Sequence, residues 1–355
     1  MKNIYSQIPE ISKGVSPLVI ATVIFTKGST PQKAGSSALF DRNGLIEGTI
    51  GGGFLEGKVQ GLATEAAITG HSGIYHFELD KSIEHTTEAI CGGYVSVLIE
   101  SGVEKYRSLF RSIDQYLSMR KPCAVVTTIK GMTGDQPVIE RMAVSMDETS
   151  GSGNELDERV KPVLGDLLND KNGVFFSSIE TGKQGEATDG LILLEALFPL
   201  PRLIIAGAGH IGKALSHLGR LLDFEVTVID GRSEFANPVN IPDAHNFIVQ
   251  DVGKSFTAME LTADSYVVIV TRGHNDDAAA LKGCIGSKAC YIGMIGSRTK
   301  IEKMRRNFLE NSWASAEQWE SVHSPVGIEI NSKTVEEIAV SIAAELILVR
   351  NSLKK

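Results

Sequence analysis

The hexapeptide Gly207-Ala208-Gly209-His210-Ile211-Gly212 constrains this chain more than any other feature. A G-x-G-x-x-G string is weak alone. Here an apolar run, Leu203–Ala206, precedes it, and helical spacing over Ile211–Leu222 comes after it. That strand-to-helix context is what the pattern needs. The first glycine permits a tight turn, the second lets a phosphate approach the backbone, and the third lets helix and strand pack closely. The helix start then offers free N–H groups and a positive dipole end to an anion. Asp230 closes the alternating run Val226–Asp230, eighteen residues beyond Gly212. An acid there can accept hydrogen bonds from a ribose diol and would repel a 2′-phosphate, while the cation Arg232 pulls the other way. The bland reading is a glycine turn with an acid capping a loop.

Beyond residue 198 the sequence alternates strand and helix. Phe198-Pro199-Leu200-Pro201 carries two prolines and reads as a linker. It divides the sequence into 1–198 and 199–355. After the glycine loop, strands are expected at Glu225–Ile229, Phe247–Val249, Tyr266–Val270 and Cys290–Ile295, and helices at Asp276–Ile285 and Arg298–Phe308. Tyr266–Val270 is uninterruptedly apolar, as in a strand covered on both faces. This alternation predicts α/β architecture with a doubly wound, parallel, Rossmann-like sheet. Ligands of such sheets lie beyond the carboxyl ends of the strands. Arg272 and His274, after one strand, and Ser297 and Arg298, after the next, should therefore gather near the glycine loop. Arginine can hold phosphate bidentately. The alternative is that Asn275 or Asp276 caps a helix and Arg298 is merely solvated.

The N-terminal part reads as a mixed α+β domain. Strands are expected at Leu18–Phe25, Ser36–Phe40, Ile74–Leu79, Tyr94–Ile99, Ala124–Ile129, Val138–Met146, Val174–Ile179 and Leu191–Leu197. Helices are expected at Phe54–Ala67 and Val103–Met119. No internal repeat is visible. Gly48-Thr49-Ile50-Gly51-Gly52-Gly53 places four glycines in six residues before a helix. Such a cluster costs conformational entropy and implies close approach by a strand or a ligand. Cys91, in Cys91-Gly92-Gly93, is either an accessible thiol or a buried cysteine beside a bulge.

Composition narrows the function classes. Thirty-five Lys+Arg against 43 Asp+Glu give a net charge of −8, which argues against non-specific nucleic-acid binding. The four cysteines are scattered and form no C-x-x-C pair, so neither a disulfide scaffold nor a zinc ribbon is expected, and no metal site is assigned. No stretch reaches ~18 uncharged apolar residues, so no membrane span is expected, and the default location is the cytoplasm. The helical run Thr334–Val349 has one apolar face, which could cover its own sheet or pair two copies in a homodimer.

Taken together, the motifs resemble one family. Gly28-Ser29-Thr30-Pro31, the glycine run with Leu55-Glu56-Gly57, Cys91-Gly92-Gly93, Gly207–Gly212, Thr271-Arg272-Gly273-His274, Ile295-Gly296-Ser297-Arg298 and Ser324-Pro325-Val326-Gly327 occur in one order. So does the ending Glu336–Ala339 with Ser341–Glu345. The set is similar to the XdhC/CoxI family, accessory factors of xanthine dehydrogenase and related molybdenum hydroxylases. The resemblance implies a cofactor-maturation chaperone rather than a metabolic catalyst. Such a factor binds molybdenum cofactor (molybdopterin), supports its sulfuration with a cysteine desulfurase and delivers it to the hydroxylase. It implies cofactor-binding roles for Gly207, Gly209, His210, Gly212, Asp230, Arg232, Arg272, His274, Ser297 and Arg298, and in the first half for Ser29, Lys33, Gly52, Gly53, Glu56 and Cys91. One position departs: Phe54 stands where many relatives carry Cys, His or Arg, which weakens metal or sulfur chemistry there. The residues leave two other readings open. One is an NAD(P)-dependent oxidoreductase, for which no Tyr-x-x-x-Lys pair is present. The other is an interaction protein with a vestigial nucleotide site.

Overall fold

The computed structural model describes residues 4–14, 17–79, 93–131, 136–146, 149–151, 160–169, 174–179 and 190–352. The chain forms two compact units, Met1–Pro199 and Leu200–Lys355.

The first unit contains two sheets with one connectivity. Helix α1 (Ile4–Ile11) leads into β1 (Val19–Gly28), β2 (Ser37–Asp41) and β3 (Gly44–Gly48). Helix α2 (Gly53–Thr69), β4 (Gly73–Leu79) and β5 (Gly93–Ser101) come next. A 3-10 turn, Val103–Tyr106, opens into α3 (Arg107–Ser118), where the sequence reads as one continuous helix. The unit is completed by β6 (Cys123–Lys130), β7 (Val138–Ser145), β8 (Thr149–Gly151), α4 (Lys161–Asn169), β9 (Val174–Ile179) and β10 (Gly190–Leu197). The strand orders are β3-β2-β1-β5-β4 and β8-β7-β6-β10-β9. Adding five to each number of the first gives the second, and α1 and α2 correspond to α3 and α4. The expectation of no internal repeat is thus corrected: the unit is built twice from one α-β-β-β-α-β-β plan. All pairings within both sheets are antiparallel.

Alternation along the strands explains how the two halves join. Val19, Ala21 and Val23 of β1 pack with Leu55, Val59 and Ala63 of α2. The alternate residues, Leu18 and Ile20, pack with Cys123, Val125 and Ala143 of the second sheet and with α1 and α3. Ile24 and Leu98 meet Ile129 and Leu193 in the same way. Each sheet thus has one face under its own helix and one against its twin.

A buried ionic chain runs through this inter-sheet layer. Arg141 of β7, fully buried, donates from Nε to Glu100 Oε2 of β5 at 2.8 Å and from Nη1 to the Tyr5 hydroxyl at 3.3 Å. Tyr5 donates to Glu195 Oε2 of β10 at 2.7 Å. Lys105 reaches Glu100 Oε1 at 3.2 Å. Burial pushes the Glu195 carboxyl upward, and Arg141 and Tyr5 offset this only in part.

The second unit is parallel. Strands β11 (Arg202–Ala206), β12 (Glu225–Ile229), β13 (Asn246–Ile248), β14 (Ser265–Ile269) and β15 (Tyr291–Met294) assemble in the order β13-β12-β11-β14-β15. Helices α5 (His210–Leu221), α6 (Val252–Ala258), α7 (His274–Cys284), α8 (Arg298–Glu310), α9 (Ala316–Glu320) and α10 (Val335–Ser352) complete it. Two hydrophobic clusters, one per face, sandwich the sheet. Ala339, Ile342, Ala343 and Leu346 of α10 lie in the cluster that contains Leu215 of α5. The apolar face of the last helix therefore covers its own sheet. Among the described residues no helix is long and apolar enough to cross a membrane.

Replacing Arg141 with alanine would leave Glu100 and Glu195 buried without their shared cation. Breaking a buried ion pair in this way costs about 3–5 kcal/mol. Arg141→Ala is expected to lower the urea stability of the first unit by that order, measured by far-UV circular dichroism. Both tryptophans, Trp313 and Trp319, lie in the second unit, so their fluorescence separates the two transitions. Glu195, which burial already raises and Arg141 pulls down, should titrate higher in the folded variant than in wild type. Its folded state then binds protons more tightly, and its deficit should shrink as pH falls toward the carboxylate range.

Candidate functional site: the carboxyl edge of the parallel sheet

Strand order places a switch point at β11. The chain goes from β11 to β12 on one side and reaches β14 on the other, so the loops after β11 and β14 diverge there and leave a crevice. The glycine loop occupies it, and each glycine has a distinct job. Gly207 has φ +118°, and a Cβ on it would stand 2.4 Å from the Val270 carbonyl oxygen at the end of β14. A Cβ on Gly212 would stand 1.9 Å from the Gly207 carbonyl oxygen. The first turn of α5 thus rests directly on the turn that leaves β11. Gly209, the N-cap of α5, has φ −76°, and a Cβ there would meet nothing within 4 Å. The loop is crowded on the protein side and open above Gly209, where the first N–H groups of a helix lack intrahelical acceptors. His210 opens α5 and is exposed.

Asp230 directly succeeds β12 and is buried. Its Oδ2 accepts from Ala208 N at 2.9 Å and Arg232 Nη2 at 2.8 Å, and its Oδ1 from Arg232 N at 3.0 Å and Arg232 Nε at 2.9 Å. Burial alone would raise this carboxyl, but the hydrogen bonds from Arg232 and Ala208 outweigh it and hold it below its ordinary value. Arg232 lies 4.0 Å above the Phe235 ring. The residue expected to meet a ribose is therefore clamping the glycine loop and an arginine.

The two further loops behave as one assembly. Asp277, fully buried in α7, accepts from the Thr271 hydroxyl at 2.6 Å and Thr271 N at 3.2 Å. It also takes a short ion pair from Lys300 of α8, which reaches the Ile295 carbonyl at 3.4 Å as well. Asp277 and Lys300 thereby tie the start of α7 to the start of α8. Sequence reasoning missed both, because they stand 23 positions apart and share no local pattern. Ser297 is the N-cap of α8, accepting from Lys300 N at 3.3 Å, and Arg298 comes directly after it, exposed. Arg272 is exposed, with Asp276 at 3.9 Å, and His274 opens α7. The second-half residues thus all lie on one sheet edge.

The first-half candidates belong to the other unit. Glu56 Oε2 accepts from the Thr49 hydroxyl at 2.6 Å, Gly52 N at 3.2 Å and Ile50 N at 3.3 Å. The Thr49 hydroxyl leads the interactions that hold this carboxyl low against the opposing pull of burial. Glu56 therefore shapes the glycine run. Gly51 has φ +128°, with Pro31 Cβ 2.6 Å from a would-be side chain, so the run packs on the Ser29–Lys33 loop. Gly52 and Gly53, at φ +75° and +58°, face open space. Phe54 is half exposed, with Lys58 Nζ 5.5 Å from its ring. Cys91 lies outside the described residues. Cys123 and Cys284 are buried, and burial pushes each thiol up to about 12, so neither is a ready thiolate.

Comparison with known proteins fits this layout. The model of the XdhC and CoxI family matches residues 13–78, and that of the XdhC Rossmann domain matches residues 203–346. The chain belongs to the XdhC and CoxI family. A relative in Escherichia coli (strain K12), uncharacterized protein YqeB, is 23% identical over 99% of this chain, which spans only 47% of that protein's length. In Bacillus subtilis (strain 168), a probable xanthine dehydrogenase subunit is 23% identical over 99% of this chain and 98% of its own. The crystal structure of a xanthine dehydrogenase from Bacillus halodurans superposes with a TM-score of 0.77 at 24% identity, covering 98% of this chain and 96% of that one, which shows a shared fold.

The two helix-start glycines make opposite predictions. Gly212→Ala forces α5 away from β11 and should destabilise the second unit at or beyond the upper end of ~1–3 kcal/mol, read as a fall in the tryptophan melting temperature. Gly209→Ala should melt like wild type, since its Cβ meets nothing, yet fill the space over the loop and weaken anion binding. A stable Gly212→Ala protein would show that the contact can relax.

Proposed function

We propose that this chain is an accessory factor for a xanthine dehydrogenase-type molybdenum hydroxylase, binding molybdenum cofactor and assisting its sulfuration, with a cysteine desulfurase, and its insertion. Family membership and the B. subtilis relative's name support the association with xanthine dehydrogenase. The observation that carries cofactor binding is the open space above Gly209, at the start of a twelve-residue helix.

The cofactor is a pterin with a molybdenum-binding dithiolene and a terminal phosphate. The chain's own groups suit that phosphate. The first N–H groups of α5 face it with the positive end of the helix dipole. Arg298 and Arg272, both exposed on the same edge, supply mobile cations for charge-assisted hydrogen bonds. Asp230 fixes the loop by holding Ala208 N, and Asp277 with Lys300 fixes the positions of the flanking loops. Binding and presentation need only these positioned donors.

Cofactor released anaerobically from a molybdoenzyme and titrated into the folded protein should bind saturably. Arg298→Ala should weaken that binding by ~1.5–3 kcal/mol, the loss of one charge-assisted hydrogen bond. Absence of saturable binding by the folded protein would remove the cofactor reading.

A further inference from the structure

Every site for a hydrogen-bond donor on Asp230 is already in use. A carboxylate has about four lone-pair positions. Four donors fill them: Ala208 N, Arg232 N, Arg232 Nε and Arg232 Nη2, all between 2.8 and 3.0 Å. A ribose diol reaches an acid after the second strand by donating two hydroxyl hydrogens to it. Here it would have to strip Arg232 from a bidentate, partly buried pair. Arg232 is held from a second side by Phe235, 4.0 Å below its guanidinium.

The pair does not offer a 2′-phosphate a better place. Arg232 has committed its cationic fork to Asp230, and Glu234 and Asp276 also act on it electrostatically. A dianion added there would meet three carboxylates around one guanidinium.

We infer that Arg232 is a specificity-determining plug: by occupying Asp230 it closes the ribose position, so the glycine loop accepts a phosphate ligand lacking an adenosine ribose and discriminates against adenine dinucleotides. This rests on the phosphate-site reading above and sharpens it, since a pterin phosphate needs the loop and not the ribose position.

The test is a gain of binding. Wild type, Arg232→Ala and the double variant Asp230→Ala/Arg232→Ala are titrated with NAD, NADP and molybdenum cofactor, with tryptophan fluorescence as the check on folding. Arg232→Ala keeps both backbone donors to Asp230 but frees the two positions taken by the guanidinium. NAD affinity is expected to rise roughly ten- to a hundredfold over wild type, one charge-assisted hydrogen bond's worth. The gain should vanish in the double variant. If wild type binds NAD or NADP and Arg232→Ala weakens or does not alter that binding, the plug is overturned while the phosphate site stands. An Arg232→Ala gain that survives loss of Asp230 overturns it equally. If no variant binds NAD, NADP or the cofactor, the phosphate site itself is lost and the plug with it.

Discussion

Two backbones touch where the carbonyl of Gly207 lies under Gly212, and the geometry of the sheet edge depends on that contact. A side chain at Gly212 would lift α5 off β11, and one at Gly207 would push the turn away from the end of β14. With both absent, the helix start sits low over the strand end, its free N–H groups aimed at the crevice between β11 and β14. The same closeness lets Ala208 N reach Asp230, so the ends of β11 and β12 are locked together. Gly207 also lies against the end of β14, which brings the loop carrying Thr271 and Arg272 beside the glycine turn. The site is thus a consequence of backbone packing first and of side-chain chemistry second.

The two units were legible in the sequence to different degrees, for physical reasons. In the parallel unit the central strands β11 and β14 are short, largely apolar and buried runs, and β12 alternates, so a local reading recovers β12 at Glu225–Ile229 and β14 within one residue. The first unit conceals its plan. Its two halves share strand order, not residues: β1 reads Val-Ile-Ala-Thr-Val-Ile-Phe-Thr-Lys-Gly and β6 reads Cys-Ala-Val-Val-Thr-Thr-Ile-Lys. Any sequence of alternating β-branched residues satisfies a sheet with one face under a helix and one against a twin, so the repeat leaves no textual trace. Helices α1, α4, α6 and α9 escaped for another reason. At eight, nine, seven and five residues they are too short to display a period.

Residue type located the site edge, but partners decided what each residue does there. Asp230 stands where an acid is expected, yet its four donors come from the protein. Glu56 looks like a ligand beside a glycine run and turns out to be the clamp that gives the run its shape. Asp277 reads as one acid in a helix start and is instead the buried post between two loops. In each case the missing information was a contact: between distant segments for Ala208 with Asp230 and Lys300 with Asp277, and within one short segment for Arg232 with Asp230 and Thr49 with Glu56.

The distribution of charge along this edge bears on the proposed anion site. Arg232 is engaged by Asp230, and Lys300 by Asp277. Arg272 is held only loosely, at 3.9 Å from Asp276, and Arg298 is exposed. The whole chain carries −8, so the long-range field repels an anionic guest and steering contributes little. Under the proposed phosphate role, attraction would have to be short-ranged: helix-start amides fixed by the Gly207–Gly212 contact, plus the exposed Arg272 and Arg298. A site of the proposed kind would recognise a terminal phosphate by shape and hydrogen bonding rather than by net charge, and would leave the remainder of the guest to be selected by what surrounds the loop.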